Sequence, residues 1–374
     1  PRPNNWKDLY QNGFYNNTNV SINGGSEKAV YRLSYSYMDN NGVMKNNSFD
    51  RHSVNFKTNG QLNKFFSVEL GFNYVKSKAQ NAYDQGFWRE GQNLGLMTIY
   101  YMPRSLDLND FYKNYRDPVT NAQKSQQVYG TIANFLHRLD YFNETRDEES
   151  MLANLTLKAQ ITPNIDASAK ANYNMYNTFN RRTEYGSGPY LSGGGYYGTS
   201  GSRNGNYNFL FMVHGNQKLM SDDLEIDLRI ANEIYGNTKN ESWAKGTNGG
   251  LIVPGLFAFS NSVNTIYPTY NFSPRNYQVI GLSGILNFAW RNQLFLELTA
   301  RNDWNSSLLY PTWISAGQNN YSVFYPSANL SWVVTDTYRE SLPEWFSFGK
   351  LRASLARVGM GTAAYGTSSG AGGF

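Results

Sequence analysis

The chain has 374 residues, with 33 Lys and Arg against 28 Asp and Glu, a formal net charge of +5, three His and no Cys. Without Cys there is no disulfide framework, thiolate metal site or thiol nucleophile, and His52, His137 and His214 are too scattered for a ligand cluster. Charged residues make up only 16% while aromatics reach 16%, and 47 Asn with 34 Gly disfavour helix interiors, so an all-helical protein is excluded.

The basic residues are spread evenly with no basic run, which argues against a nucleic-acid partner. The most apolar stretch, Leu251 to Phe259, is short and broken by Pro254 and Gly255, so no helix crosses a membrane. The start, Pro1-Arg2-Pro3, is neither an initiator Met nor a signal segment, and reads as processed or truncated.

Read in chain order, segment after segment alternates with a period of two, the signature of a strand with two unlike faces. The pattern predicts twelve strands, near 18–23, 29–38, 51–59, 66–77, 151–161, 165–176, 206–217, 223–235, 279–290, 294–303, 324–334 and 349–358. In the fourth, Phe66, Val68, Leu70, Phe72 and Tyr74 alternate with Ser67, Glu69, Gly71 and Asn73. The sixth sets Ile165, Ala167, Ala169, Ala171, Tyr173 and Met175 against Asp166, Ser168, Lys170, Asn172 and Asn174. The eighth sets Leu224, Ile226, Leu228 and Ile230 against Asp223, Glu225, Asp227 and Arg229. Ten residues at about 3.3 Å each, tilted about 45°, rise about 23 Å, close to the roughly 25 Å apolar band of an outer-membrane barrel.

Connections alternate too. Tight ones at Gly24 to Lys28, Leu62 to Lys64, Thr162 to Asn164, Gln217 to Asp222 and Arg291 to Gln293 are separated by long ones at 39–50, 78–150, 177–205, 236–278 and 304–323. Short turns on one rim and long loops on the other are the mark of a transmembrane barrel, not of a soluble sandwich. The 78–150 insertion is long enough for helical turns of its own, around Ser125 to Leu139.

No catalytic constellation accompanies these strands. Asp147-Glu148-Glu149 reads as a solvated run, and Asp222, Asp223, Glu225 and Asp227 as the wet face of a strand, so no enzyme activity, cofactor or metal is expected. Gly193-Gly194-Gly195 lacks the Lys-Ser/Thr of a phosphate loop. Aromatics at strand ends, Tyr35, Tyr37, Tyr74, Tyr173 and Trp290, fit an interfacial girdle. Those in the long loops, Trp88, Tyr100, Tyr101, Tyr190, Tyr196 and Tyr197, have no membrane to explain them and are candidates for substrate contact, as is Arg89 beside Trp88.

Three blocks carry a family resemblance: Asn19 to Lys28 with Tyr31 to Tyr35 and Asn41-Gly42-Val43; Leu296 to Ser307 followed by Phe324 to Ser327 and Leu330-Ser331-Trp332; and Phe348 to Ser354 with Val358-Gly359. In order and spacing they resemble the barrel of SusC/RagA-type TonB-dependent outer-membrane transporters of Bacteroidota. The resemblance implies an all-β, antiparallel transmembrane β-barrel of which this chain holds about twelve of 22 strands. Residues 1–17 would be a plug-to-barrel junction, and 18–374 the N-terminal portion of the barrel, with long loops at 78–150, 177–205, 236–278 and 304–323.

That family implies import of an oligomeric nutrient, glycan or peptide, across the outer membrane. The partners it implies are a SusD-like surface lipoprotein, TonB acting through a plug, outer-membrane lipid, and a dimer of transporter–lipoprotein pairs. Glu297, Thr299, Arg301 and Asp303 share the wet face of one strand and would contact the plug or line the lumen. A passive porin-like or adhesion barrel is the competing expectation.

Overall fold

The computed structural model describes residues 2–82, 100, 102–119, 136, 139–186, 194–271, 276–309 and 321–359. All twelve expected strands are present: β1 Phe14–Gly25, β2 Ala29–Asn41, β3 Ser48–Gln61, β4 Phe66–Gln80, β5 Phe142–Thr162, β6 Ile165–Tyr185, β7 Gly195–Leu219, β8 Leu224–Gly246, β12 Gln278–Trp290, β13 Leu294–Asn305, β14 Ser322–Val333 and β15 Lys350–Ala356. Each pairs antiparallel with the next in that order, and the short β11 (Thr269–Asn271) adds to β8, giving a thirteen-stranded sheet. β9 (Asn248–Leu251) and β10 (Ser262–Asn264) form a separate small hairpin. The sheet is one open piece of barrel wall: β1 and β15 are its two outer strands and do not pair with each other.

Cross-strand register turns the alternation of single strands into two continuous faces. Ile22, Leu33, Phe56, Phe72, Ala153 and Tyr173 stand side by side at one height on the outward face. Leu228, Leu286, Leu298, Ala328 and Leu355 do so farther round the wall. These side chains have nothing packed over them: Ile22 is 60% exposed, Phe211 54% and Leu355 79%. An unbroken apolar surface of that extent is a lipid-facing one. Of the girdle residues, Tyr35 and Tyr74 fall at one border and Trp290, with Leu294 and Trp332, at the other, while Tyr173 stands one row inside the border and Tyr37 one row beyond it.

Four strands run well past the expected ends. β5 to β8 have 21, 21, 25 and 23 residues, so 142–150, 177–185, 195–205 and 236–246, read from sequence as loop, are strand. On the outward face the continuous apolar rows stop at Tyr74, Met151 and Met175; the next row is Lys76, Glu149, Asn177, Arg203 and Glu241, and beyond it Phe179 and Trp243 pack on each other, 5.8 Å apart, among polar neighbours. Above that border both faces meet water, and the alternation that identifies a strand from sequence disappears although the hydrogen-bond ladder continues.

The tight turns form as expected. Arg291 and Asn292 both take left-handed backbone conformations (φ 46° and 55°), and the Gln293 N–H donates to the Trp290 carbonyl at 2.8 Å, closing a tight three-residue connection between the paired Trp290 and Leu294. One connection departs from the expected alternation. Residues 334–349, on the short-turn rim, hold a helical turn, α2 (Val334–Thr337), tied down by Gln293 Nε2 donating to the Asp336 carbonyl.

The only buried hydrophobic cluster among the described residues lies on the long-connection rim. Leu9, Met44, Met102, Leu108, Phe111, Tyr115, Leu136 and Leu139 pack together, joining residues 2–10 to the insertion between β4 and β5. A helix the sequence reading missed, α1 (Leu108–Asn114), supplies two of them, its first turn capped by Asp107 accepting from the N–H groups of Asn109 and Asp110. Of the helical turns expected over 125–139, Leu136 and Leu139 are described, and both are helical.

Candidate functional site

The inward face carries the polar chemistry. On β13, Glu297, Thr299, Arg301 and Asp303 share this face as expected, and each is bonded within the wall. Asn329 Nδ2 donates to Glu297 at 2.7 Å, Thr299 and Ser327 share a 2.5 Å hydroxyl contact, and Arg301 reaches both Asp303 (2.7 Å) and Glu233 (3.0 Å). Glu233 in turn accepts from Asn208 Nδ2 at 2.7 Å. Gly281 makes that bridge possible. It stands between Glu233 and Asp303 in the register, and a Cβ there would lie 2.7 Å from both the Arg301 guanidinium and the Asp303 carboxylate. Arg301 crosses β12 through this gap. Tyr235, Val279, Val323 and Tyr325 complete a cleft of about 380 Å³ around it.

A second cluster was not foreseen. His214 Nδ1 lies 2.7 Å from Asp166 and its Nε2 2.5 Å from Asp227, holding the ring between carboxylates on β6 and β8. Asp227 also takes Asn287 at 3.3 Å and Arg229 at 3.2 Å. In sequence these residues are scattered; only the register Asp166 opposite His214 brings them together. Among the described residues no group of His, Asp and Glu forms a metal-holding set.

Higher on the same face the charges give way to amides and hydroxyls. One row reads Ser21, Ser34, Asn55, Asn73, then Leu152, Asn174, Asn206 and Asn237. The row above it reads Asn19, Ser36, Ser53, Val75, then Ser150, Tyr176, Asn204 and Asn240. Charge returns on both sides, with Arg32 and Lys57 below and Arg51 and Glu148 above.

At the long-connection rim the expected contact residues separate. Tyr100 is 78% exposed. Trp88, Arg89, Tyr101 and Tyr190 lie outside the described residues. Tyr196 and Tyr197, expected in a loop, stand on β7 and are engaged: Arg182 lies 5.5 Å from the Tyr196 ring, and Tyr197 packs 4.7 Å from Phe259. Beside them Tyr112 and Tyr115 donate to Asp140 at 2.5 and 3.0 Å, and burial together with that carboxylate pushes both phenols well above the usual tyrosine range. The Arg116 guanidinium sits 3.2 Å over the Tyr141 ring, and burial lowers its pKa. Arg2 pairs with Asp107 at 2.7 Å, fastening the first residues to this lobe.

An antiparallel sheet with a lipid-facing exterior, a polar interior, tight turns on one rim and extended hairpins on the other is the wall of a transmembrane β-barrel. Comparison with known proteins narrows the class. The chain is 24% identical over 356 residues to the TonB-dependent receptor P26 of Formosa agariphila, covering 92% of this chain and 32% of that protein. Its fold matches the RagAB peptide transporter with a TM-score of 0.64 at 16% identity, over 94% of this chain and 37% of the other. The "open-open" state of the RagAB peptide importer gives 0.65 at 15% identity, with the same coverage. No family model matches the chain. The resemblance to SusC/RagA-type TonB-dependent transporters is borne out, in sequence by the receptor and in fold by the RagAB structures. The chain spans about a third of the length of the curated relative it matches.

Proposed function

We propose that this chain forms part of the barrel of a TonB-dependent importer in the bacterial outer membrane, taking up an oligomeric nutrient, glycan or peptide, with a SusD-like lipoprotein at its outer rim. The residues before Phe14 lead into the barrel, and the sheet strands from β1 onward belong to its wall, so the junction expected over 1–17 ends four residues earlier. The observation that carries the reading is the pair of continuous faces, apolar outward and polar inward, bounded by charged rows, on a chain similar to a TonB-dependent receptor. A lumen lined by amides, hydroxyls and paired charges suits passage of a polar oligomer. No bond is made or broken by these residues; energy would come from TonB through a plug.

In this reading Trp88, Arg89, Tyr100, Tyr101 and Tyr190 touch substrate at the rim, while Tyr196 and Tyr197 hold the β6–β7 hairpin in place. Glu297, Thr299, Arg301 and Asp303 present a wall to the lumen or plug, their bonds within the sheet making that wall rigid. The test uses cells expressing the full-length protein. Uptake of its oligomer should stop when the proton-motive force is collapsed, with the barrel still migrating as a heat-resistant species on gels. Uptake that continues would identify a passive porin-like barrel instead.

A further inference from the structure

The two charge-free rows at mid-height on the inward face form a belt with a chemistry of its own. Asn55, Asn73, Asn174, Asn204 and Asn206 point inward, and their amides make no hydrogen bond to any described residue. The paired residues of the wall behave differently: Asn208, one row lower, is committed to Glu233, and Asn329 to Glu297. An amide offers two donors and an acceptor with two lone pairs, so the belt presents hydrogen-bonding capacity of both kinds to whatever occupies the lumen.

Two further residues interrupt the amides at one place. Leu152 stands opposite Asn174, next to Tyr176 one row above on the neighbouring strand, and both are open, 49% and 38% exposed. The Tyr176 hydroxyl is held by Glu148 at 2.9 Å, which fixes the ring. By register they offer a small apolar patch framed by Asn73, Asn174, Asn204 and Asn206.

We infer that this belt is a binding track for an uncharged, polyhydroxylated oligomer, a neutral glycan, passing along the wall. The inference rests on the import reading above and selects between its two substrate classes. A sugar ring offers an apolar face and a rim of hydroxyls that both donate and accept, matching a Leu–Tyr patch surrounded by amides. A peptide brings charged termini and side chains, and an acidic glycan brings carboxylates or sulfates. The two belt rows carry no charge to pair with either, and the charges that reach the belt, Glu148 and Arg146 at the Tyr176 hydroxyl, are already paired with each other at 2.6 Å. The charged rows on each side bound the track and do not belong to it.

The test is uptake by cells carrying the full-length protein, with three fluorescent probes: neutral gluco- and manno-oligosaccharides, oligogalacturonate, and mixed-sequence peptides. The wild type should take up a neutral oligosaccharide saturably and in an energy-dependent way. The triple variant Asn73→Ala, Asn174→Ala, Asn206→Ala should lose at least about tenfold in apparent affinity for that sugar, as expected for several hydrogen bonds lost together. Serine at the same three positions should recover most of it. Unchanged sugar uptake in a correctly inserted alanine variant would overturn the track, as would energised uptake of the peptide or uronate probe in place of the neutral sugar; either leaves the import reading standing. Uptake of any probe that ignores the proton-motive force overturns the import reading itself.

Discussion

The lower parts of β5 to β8 and their upper extensions are the same strands, in the same ladder, and obey different rules. Below the row of Tyr74, Met151 and Met175, outward residues are mostly apolar, Asn232 being an exception, and inward ones are mostly polar, with Leu152, Leu210 and Met212 among the exceptions. Above it, Glu149, Asn177, Arg203 and Glu241 face outward as freely as Glu148 and Thr178 face inward. A 21-residue strand at about 3.3 Å per residue is about 70 Å long, and tilted about 45° it rises roughly twice the apolar band of an outer membrane. The difference teaches that alternation in this protein records lipid, not strand. Backbone pairing alone carries the hairpins outward, so they project from the membrane as polar ribbons.

The largest effect should come from charge placed on the outward face below the border. Leu70→Arg, near mid-band, should destabilise the inserted full-length barrel by about 2 to 4 kcal/mol, measured by reversible unfolding in lipid, whereas Asn73→Arg on the inward face should cost little. An arginine at the outward Thr199, in the extension beside Arg181 and Lys245, should also be tolerated. A large cost there would put lipid where the comparison puts water.

Gly281→Val should come next. Its side chain would displace Arg301 from the gap over β12 and cut the bridge to Glu233, costing about 1 to 3 kcal/mol by overpacking. The loss should be smaller in an Arg301→Ala background, a coupling a double-mutant cycle reads directly.

Asp140→Ala tests the rim lobe, where two tyrosine hydroxyls would lose their acceptor. Hydrogen exchange over 102–115 should rise, consistent with about 1 to 3 kcal/mol of local stability, while β4 and β5 keep their protection. The smallest effect belongs to the exposed pair Lys76–Glu149, 3.4 Å apart at the upper border. Lys76→Ala should change stability by no more than about 1 kcal/mol.

Where lipid imposes its pattern, the sequence reads almost directly: Phe66 to Tyr74 and Leu224 to Ile230 announce their faces, and all twelve expected strands exist. What could not be read follows from the same physics. Residues 195–205 put Gly, polar residues and Tyr on both faces, Tyr197, Thr199 and Arg203 on one and Tyr196, Ser200 and Asn204 on the other, with nothing to distinguish strand from loop except a partner. The His214 clamp depends on register across three strands, which no local spacing encodes. The Arg301 bridge depends on an absent side chain at Gly281, visible only once β12 lies between β8 and β13. Glu297 to Asp303 were correctly placed on one face because period-two alternation fixes the face; their partners were beyond reach because alternation says nothing about the neighbouring strand.

Site-directed spin labelling of the full-length barrel in lipid tests the two-faced wall most directly. Labels at Val68, Leu70 and Phe72 should be accessible to oxygen and shielded from a polar relaxant, while labels at Ser67 and Asn73 show the reverse and labels at Thr199 and Arg203 report water. Polar-relaxant access at Val68, Leu70 and Phe72 equal to that at Ser67 and Asn73 would contradict the barrel wall, since no face of the sheet would then be in lipid.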